Sequence, residues 1–183
     1  MPRTAADVVA EMHALLATAG VPGPYVLVGH SLGGLFVQLY SRTFPGEVAG
    51  IVLVDPTAPA LRDLLTPAQW DTIAQSITDP PELVPGYTTE AYDLTASTDQ
   101  VRAAPPPPQV PATVLVAGET DPVPPGPSAE ALAAAVAARP EALARLAADI
   151  PGAQLVPVPG TTHYIQIQRP DAVIDAVRTV AGR

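Results

Sequence analysis

The stretch 25–40, YVLVGHSLGGLFVQLY, places a serine at the junction of two apolar runs. The run before the serine, 25–28, is short, rich in β-branched residues and apolar on both faces, which predicts a strand buried in a parallel sheet. The run after it, 32–44, has helical spacing and stops before a Pro-Gly pair. Ser31 therefore lies where a strand passes into a helix with almost no loop between them.

Residues 29–33, GHSLG, fit the G-x-S-x-G pattern of a nucleophile elbow. The sharp turn forces the serine into a strained backbone conformation and projects its hydroxyl. We expect side chains at Gly29 and Gly33 to collide with the neighbouring strand and helix. The start of the helix favours a developing negative charge near Ser31, and the Leu32 amide is placed to donate to such an oxyanion. A serine before a helix can also be only a cap, but the buried strand and amphipathic helix around this one favour a nucleophile.

A serine hydroxyl needs a base to take its proton, and the chain has three histidines. His13 lies on a predicted helix face, where a solvent-exposed or packing role is expected. His30 belongs to the elbow itself and is expected to point away from the serine, in a packing or hydrogen-bonding role. His163 follows the last predicted strand in a glycine-bearing loop, at the strand end where Ser31 also lies. We therefore predict His163 as the base, the alternative being a surface histidine.

The base needs a carboxylate to orient it, and three acidic residues follow predicted strands. Asp121 follows the third strand in the sequence GETDP and is the residue we favour. Asp55 follows the second strand and is its main rival, although it precedes a proline and could simply fix a turn. Glu119 is a lesser alternative. The chain order Ser31, Asp121, His163 is the order expected for a nucleophile elbow.

Strands and helices alternate along most of the chain, which predicts an α/β fold with about four parallel strands and helices on both faces. Thr4 and Asp7 have the spacing of a helix cap at the start of the first helix. We treat 1–183 as one domain. The segment 59–109 has no predicted strand and is interpreted as a small helical cap over one end of the sheet. The predicted strands are 25–28, 51–54, 113–117 and 154–158, and the remaining predicted helices are 66–77, 89–101, 128–148 with a break near Pro140, and 170–180.

A substrate pocket is expected between the carboxyl edge of the sheet and the cap segment. Leu61, Leu65 and Trp70 are the predicted substrate-binding residues, and Leu64 and Ile73 could join them. The alternative role for these side chains is packing of the cap onto the core. The substrate expected in such a pocket is a small ester-like molecule.

The composition and charge of the chain argue against several other classes of protein and of binding site. Hydrophobic residues make up 48% and charged residues 15% of the chain, as in a globular protein. A net charge of −9 disfavours nucleic acid or an anionic membrane as partner. No cysteine is present, so disulfides and thiolate sites are excluded. No metal-binding histidine spacing and no cofactor motif appears, so neither metal nor cofactor is expected. The start of the chain does not resemble a secretion signal, and a cytoplasmic location is the expectation.

The motifs together resemble the α/β-hydrolase family. VLVGHSLGG is similar to its elbow, VAGIVLVDPTAP to the following strand, PATVLVAGETDPVPP to its acid loop and PGTTHYIQIQRPDAVIDAVRTV to its histidine loop. The resemblance covers nearly the whole chain and implies a three-layer fold. It also implies hydrolysis through an acyl-enzyme, in which Ser31 attacks, His163 moves the proton and Asp121 holds His163. Esters are the commonest substrates in the family.

The resemblance is to the second half of that family's pattern. The family begins with further strands and a His-Gly-type loop that supplies a second oxyanion amide, and no such motif precedes residue 25. Three interpretations follow: a fragment or truncated gene product, which we favour; a second chain that completes the fold; or a degenerate relative. The strand 25–28 would then present an open edge that favours a homo-oligomer or a complementing chain. A catalytically weak protein with a binding or assembly role is the alternative function.

Overall fold

A computed structural model describes residues 2–78 and 90–182. The strands are β1 Tyr25–His30, β2 Val48–Val54, β3 Ala112–Ala117 and β4 Gln154–Val158. The helices are α1 Ala5–Thr18, α2 Gly33–Thr43, α3 Leu61–Leu64, α4 Pro67–Thr78, α5 Leu94–Ala103, α6 Ala129–Asp149, α7 Ile165–Gln168 and α8 Pro170–Val180, with a 3₁₀ turn at Pro45–Glu47. Short helices α3 and α7 were not predicted from the sequence.

The four strands form one parallel sheet in the order β1-β2-β3-β4, which confirms the predicted α/β architecture. Because all strands are parallel, their carboxyl ends lie at the same edge. The loops after β1, β2, β3 and β4 therefore bring Ser31, Asp55, Asp121 and His163 to that edge.

Helices cover both faces of the sheet, so the fold has three layers. Residues alternate along β2 between the two faces, as the pleat requires. Ile51 and Leu53 join a larger core with α1, α2, α5 and α6, while Val52 and Val54 join a smaller core with α8. These four side chains are at most 1% exposed. Each fully buried aliphatic side chain contributes about 1.5–3 kcal/mol.

Local sequence signals position the first helix as predicted. The Thr4 hydroxyl accepts from the Asp7 amide, and the Asp7 carboxylate accepts from the Thr4 amide, which forms a capping box. This arrangement satisfies two backbone donors at the start of α1.

The predicted break near Pro140 is wrong, because α6 runs without interruption through that residue. Proline removes one helical hydrogen bond and usually bends a helix. Here buried side chains on both sides of Pro140 hold the helix against the body of the protein: Ala131 before it, and Ala142, Leu143 and Leu146 after it.

The segment 59–109 contains α3, α4 and α5 in its described part. The predicted helix 66–77 is confirmed as α4, and the predicted helix 89–101 corresponds to α5, which begins at Leu94. Residues 79–89 of the predicted cap, with the start of that second helix, lie outside the described residues. Helix α4 packs against α6, whereas α5 packs against α1 and α2. The division of the chain into a body and a cap stays a prediction.

None of the helices in the described part of the chain combines the length and the apolar character needed to cross a lipid bilayer.

Candidate active site

Ser31 occupies the strained turn that the elbow pattern predicts. Its φ of 54° lies in the left-handed region, which non-glycine residues rarely adopt. The turn is held by the main chain: the Ser31 amide donates to the Val54 carbonyl, and the Ser31 carbonyl accepts from the Gly34 and Thr57 amides. The neighbouring strand and the loop after it therefore fix the serine in this conformation, which is typical of a functional site.

Of the two glycine positions where a side chain was expected to collide with its neighbours, one is crowded and the other is open. A Cβ at Gly29 would lie 2.6 Å from the Gly33 carbonyl oxygen, so the predicted crowding there is confirmed. A Cβ at Gly33 would meet nothing within 4 Å, so the prediction of a collision at that glycine is wrong. The crowded second position is Gly34, where a Cβ would lie 2.5 Å from Cβ of Pro56. Helix α2 turns Gly34, and not Gly33, toward the loop after β2.

His163 and Ser31 line the same cavity. Nδ1 of His163 is 2.7 Å from Oδ2 of Asp55. Because Nδ1 is engaged in this contact, Nε2 is the ring nitrogen left for a proton from the serine. The hydrogen bonds among the described residues do not include one between Oγ of Ser31 and the imidazole.

The carboxylate that contacts the imidazole belongs to Asp55, which corrects the predicted pairing of His163 with Asp121. Asp121 instead accepts from the main-chain N–H of His163, at 3.3 Å. Asp55 is 2% exposed, and its φ of 45° turns the residue sharply after β2. Since β2 lies next to β1 in the sheet, this turn brings the Asp55 side chain to the imidazole near Ser31. Glu119, the lesser alternative, lines a smaller cavity together with Asp121.

Arg139, on α6, is a site residue that the sequence analysis missed. Its guanidinium forms an ion pair with Oδ1 of Asp55, and the Ala117 amide donates to the same oxygen. Nothing in the local sequence separates Arg139 from other helical arginines. Its contact with Asp55 follows from the packing of α6 over the sheet edge.

His30 also reaches the site, in the hydrogen-bonding role expected for it. Its Nε2 donates to the His163 carbonyl at 2.8 Å, and the two rings lie 4.5 Å apart. Burial is the largest influence on His30 and lowers its pKa. His13 lies away from the site, stacked on Phe44 and in contact with Glu47.

The environment of His163 favours the neutral imidazole. Burial is the main cause that lowers the pKa of His163, and the positive charge of Arg139 lowers it further. The Asp121 carboxylate acts in the opposite direction. A neutral imidazole is the form that can accept a proton.

The cavity at Ser31 has a volume of about 250 Å³ and an apolar wall. The predicted residues Leu61 and Trp70 line it, and the Trp70 indole N–H is held by the Thr95 hydroxyl at 2.9 Å. Leu65, the third predicted residue, is not among the residues that line this cavity, and it packs in the core instead. The apolar lining consists mainly of Leu61, Trp70, Ile73, Ile77, Leu94 and Leu143.

Leu32 lines the same cavity and precedes the first turn of α2. Outside the helices and strands, the main-chain hydrogen bonds of the described residues include none from the Leu32 amide. Within 2–78 and 90–182, no three His, Asp or Glu side chains are grouped in a way that could hold a metal ion.

Solved structures share the fold over most of the chain. A probable hydrolytic enzyme from Pseudomonas aeruginosa has 24% identity and a TM-score of 0.58, over 97% of this chain and 69% of its own. A monoacylglycerol lipase from Paleococcus ferrophilus has 18% identity and a TM-score of 0.58, over 96% and 76%. A thermophilic esterase from Thermogutta terrifontis has 21% identity and a TM-score of 0.55, over 98% and 72%. At these identities the likeness concerns the fold.

The chain also matches known proteins at the level of sequence. A protein of Schizosaccharomyces pombe is 50% identical over 40 residues, which are 22% of this chain and only 8% of that protein's length. Residues 2–176 match the sequence pattern of the Alpha/beta hydrolase family, almost from end to end. The chain therefore belongs to the alpha/beta hydrolase family.

Proposed function

We propose that the protein is a serine hydrolase that cleaves a small carboxylic ester through an acyl-enzyme. The observation that carries the proposal is the meeting of a strained serine and a histidine–aspartate pair at one apolar cavity. Membership of the alpha/beta hydrolase family supports a hydrolytic reaction. The ester specificity and the roles of individual residues are part of the proposal.

In this mechanism Ser31 attacks the ester carbonyl while Nε2 of His163 removes the hydroxyl proton. The Leu32 amide donates to the oxyanion that develops on the carbonyl oxygen. His163 then passes the proton to the leaving alcohol, and the acyl group stays on Ser31. Water, activated by the same imidazole, attacks the acyl-enzyme and releases the acid.

We assign the acid of this triad to Asp55 and not to Asp121. A carboxylate at Nδ1 fixes the tautomer that presents Nε2 to the serine and stabilises the imidazolium that forms during the reaction. The 2.7 Å contact to Nδ1 suits Asp55 to this role. Asp121 has a different role in the proposal, which is to hold the main chain of the histidine loop.

The apolar wall of the cavity makes the acyl chain the recognised part of the substrate. Each methylene buried in an apolar site contributes about 0.8 kcal/mol, or roughly fourfold in kcat/KM. We expect kcat/KM for 4-nitrophenyl esters to rise from acetate to butyrate and hexanoate.

Ile73→Trp would fill part of the cavity. It is expected to remove the preference for hexanoate and to leave acetate hydrolysis within about threefold.

The matched control for this prediction is Ile174→Trp, which places the same bulk on the exposed side of α8, where Ile174 is 49% exposed. This variant should keep the wild-type chain-length profile. An Ile73→Trp enzyme with an unchanged preference for hexanoate would show that the acyl chain binds elsewhere. A wild-type protein that hydrolyses none of the esters would contradict the proposed function itself.

A second candidate function, binding or assembly without catalysis, is favoured by one feature of the sheet. Among the strands of residues 2–78 and 90–182, β1 lies at the edge of the sheet, and Val28 on it is 48% exposed. Such an edge is a template for pairing with another strand. A homo-oligomer or a complementing chain at residues 25–28 stays a prediction, and labelling of Ser31 by a reagent for activated serines decides between the two functions.

A further inference from the structure

Three groups contact the Asp55 carboxylate, and one of them is the guanidinium of Arg139. The guanidinium and the Ala117 amide both engage Oδ1 of Asp55, and the imidazole of His163 engages Oδ2. The Asp55 side chain is 1% exposed and that of Arg139 is 23% exposed, so little water competes for these contacts. Oδ1 of Asp55 therefore contacts groups that hold the carboxylate in place, and Oδ2 contacts the histidine.

We propose that Arg139 is a positioning residue, which fixes the Asp55 carboxylate so that Oδ2 faces Nδ1 of His163. A carboxylate rotates easily about its terminal torsion, and a single main-chain donor leaves that rotation weakly restrained. The ion pair of one guanidinium nitrogen, Nη2 of Arg139, with Oδ1 adds a charged contact to that oxygen and opposes this rotation. The inference rests on the proposed function, since the orientation matters only where His163 acts as the base.

The charge of Arg139 has a second effect on the same histidine. The charged and titratable groups that face His163 are Asp55 after β2, Glu119 and Asp121 after β3, Arg139 on α6, His30 at the end of β1 and the adjacent Tyr164. Arg139 is the cation of this set. It balances the charge of Asp55, which would otherwise favour an imidazolium in the resting enzyme. The neutral base is therefore kept available at lower pH.

The direction of the pH effect follows from this balance. Burial and Arg139 lower the pKa of His163, so the neutral base is present above a pKa that lies below the ordinary value. Without Arg139 the pKa of His163 rises. The acid limb of the kcat/KM profile then moves to higher pH, and kcat/KM near neutral pH falls.

The test compares Arg139→Gln and Arg139→Lys with the wild-type chain. Glutamine keeps a donor but removes the charge, whereas lysine keeps the charge and loses the planar fork. Arg145→Gln is the matched control, because Arg145 lies on the same helix in a surface pair with Glu141. The imidazole of His163 is titrated by NMR, which needs no activity, and kcat/KM for 4-nitrophenyl butyrate is measured across pH.

We expect Arg139→Gln to shift the His163 titration and the acid limb upward together, and to lower kcat/KM at neutral pH about tenfold. That loss is part of the ~10²–10⁴-fold that a positioned base contributes. Arg139→Lys should restore the position of the acid limb, and Arg145→Gln should match the wild type in every measurement. A folded Arg139→Gln protein with an unshifted His163 titration would overturn the inference, whatever its activity.

Failure of the proposed function and failure of the coupling between Arg139 and His163 give different results. If the wild type hydrolyses no ester but the titration still shifts, the proposed function fails and the electrostatic coupling stands. If Arg139→Gln does not fold, Asp55→Asn is compared with Asp55→Asn/Arg139→Gln, in which no unpaired buried charge remains. Loss of the guanidinium should again raise the pKa of His163, and equal titration curves for the two proteins would refute the coupling.

Discussion

Replacement of Ser31 by alanine is expected to abolish ester hydrolysis, with kcat reduced on the order of 10⁶-fold. Alanine removes the only atom that can form the acyl-enzyme and leaves the cavity open. It also keeps the small side chain that the elbow accepts at a φ of 54°. The loss would therefore reflect chemistry and not misfolding, which thermal unfolding of the variant checks. Initial rates with 4-nitrophenyl butyrate measure the effect.

Ser76→Ala is the control for Ser31→Ala. Ser76 is exposed on α4, and its hydroxyl donates only locally, to the Ile73 carbonyl. Its replacement should leave the rate within about twofold. A Ser31→Ala protein that hydrolyses the ester at the wild-type rate would rule out the serine as nucleophile, and any remaining hydrolysis would come from another group or a contaminant.

The second large effect is expected at Asp55. Asparagine in its place removes the charge and can present its amide to Nδ1, which favours the wrong imidazole tautomer. We expect kcat to fall about 10⁴-fold. Asp121→Asn should reduce kcat by less than about tenfold, because its oxygen can still accept from the main-chain N–H of His163. Steady-state kinetics of the two variants measure the difference.

The comparison of the two aspartates decides which of them orients the base. Both variants must retain the wild-type circular dichroism spectrum, since Asp55 is buried and carries an ion pair. A large loss in Asp121→Asn beside a small loss in Asp55→Asn would reverse the assignment. Asp121, the residue favoured by the sequence alone, would then be the acid that orients His163.

The fold and the presence of Ser31 and His163 at one cavity could be predicted because their sequence signals are local. Short runs of β-branched residues predict buried parallel strands, and Thr4 with Asp7 predicts the start of α1. Ser31 is marked by the glycine spacing around it. His163 is marked by its place after the last strand, since parallel strands bring their carboxyl ends to one edge.

The contact between Asp55 and His163 could not be predicted because the features that create it are not local. Asp55 and Asp121 both follow strands at the same edge of the sheet and both lie between Ser31 and His163 in the chain, so the motif order fits either. What selects Asp55 is its positive φ and its contact with Arg139 on a distant helix. The same reason applies to Leu65 and Gly33, whose surroundings depend on how α2 and α3 pack and not on the residues beside them.

The central claim is that Ser31 is an activated nucleophile, and reaction with a fluorophosphonate followed by peptide mass spectrometry tests it most directly. The reagent phosphonylates a serine whose proton is taken by a neighbouring base. We predict one covalent adduct per chain, on the peptide that contains Ser31, and its loss in a folded His163→Ala variant. A folded wild-type protein without an adduct on Ser31, or with equal labelling in His163→Ala, would contradict the claim.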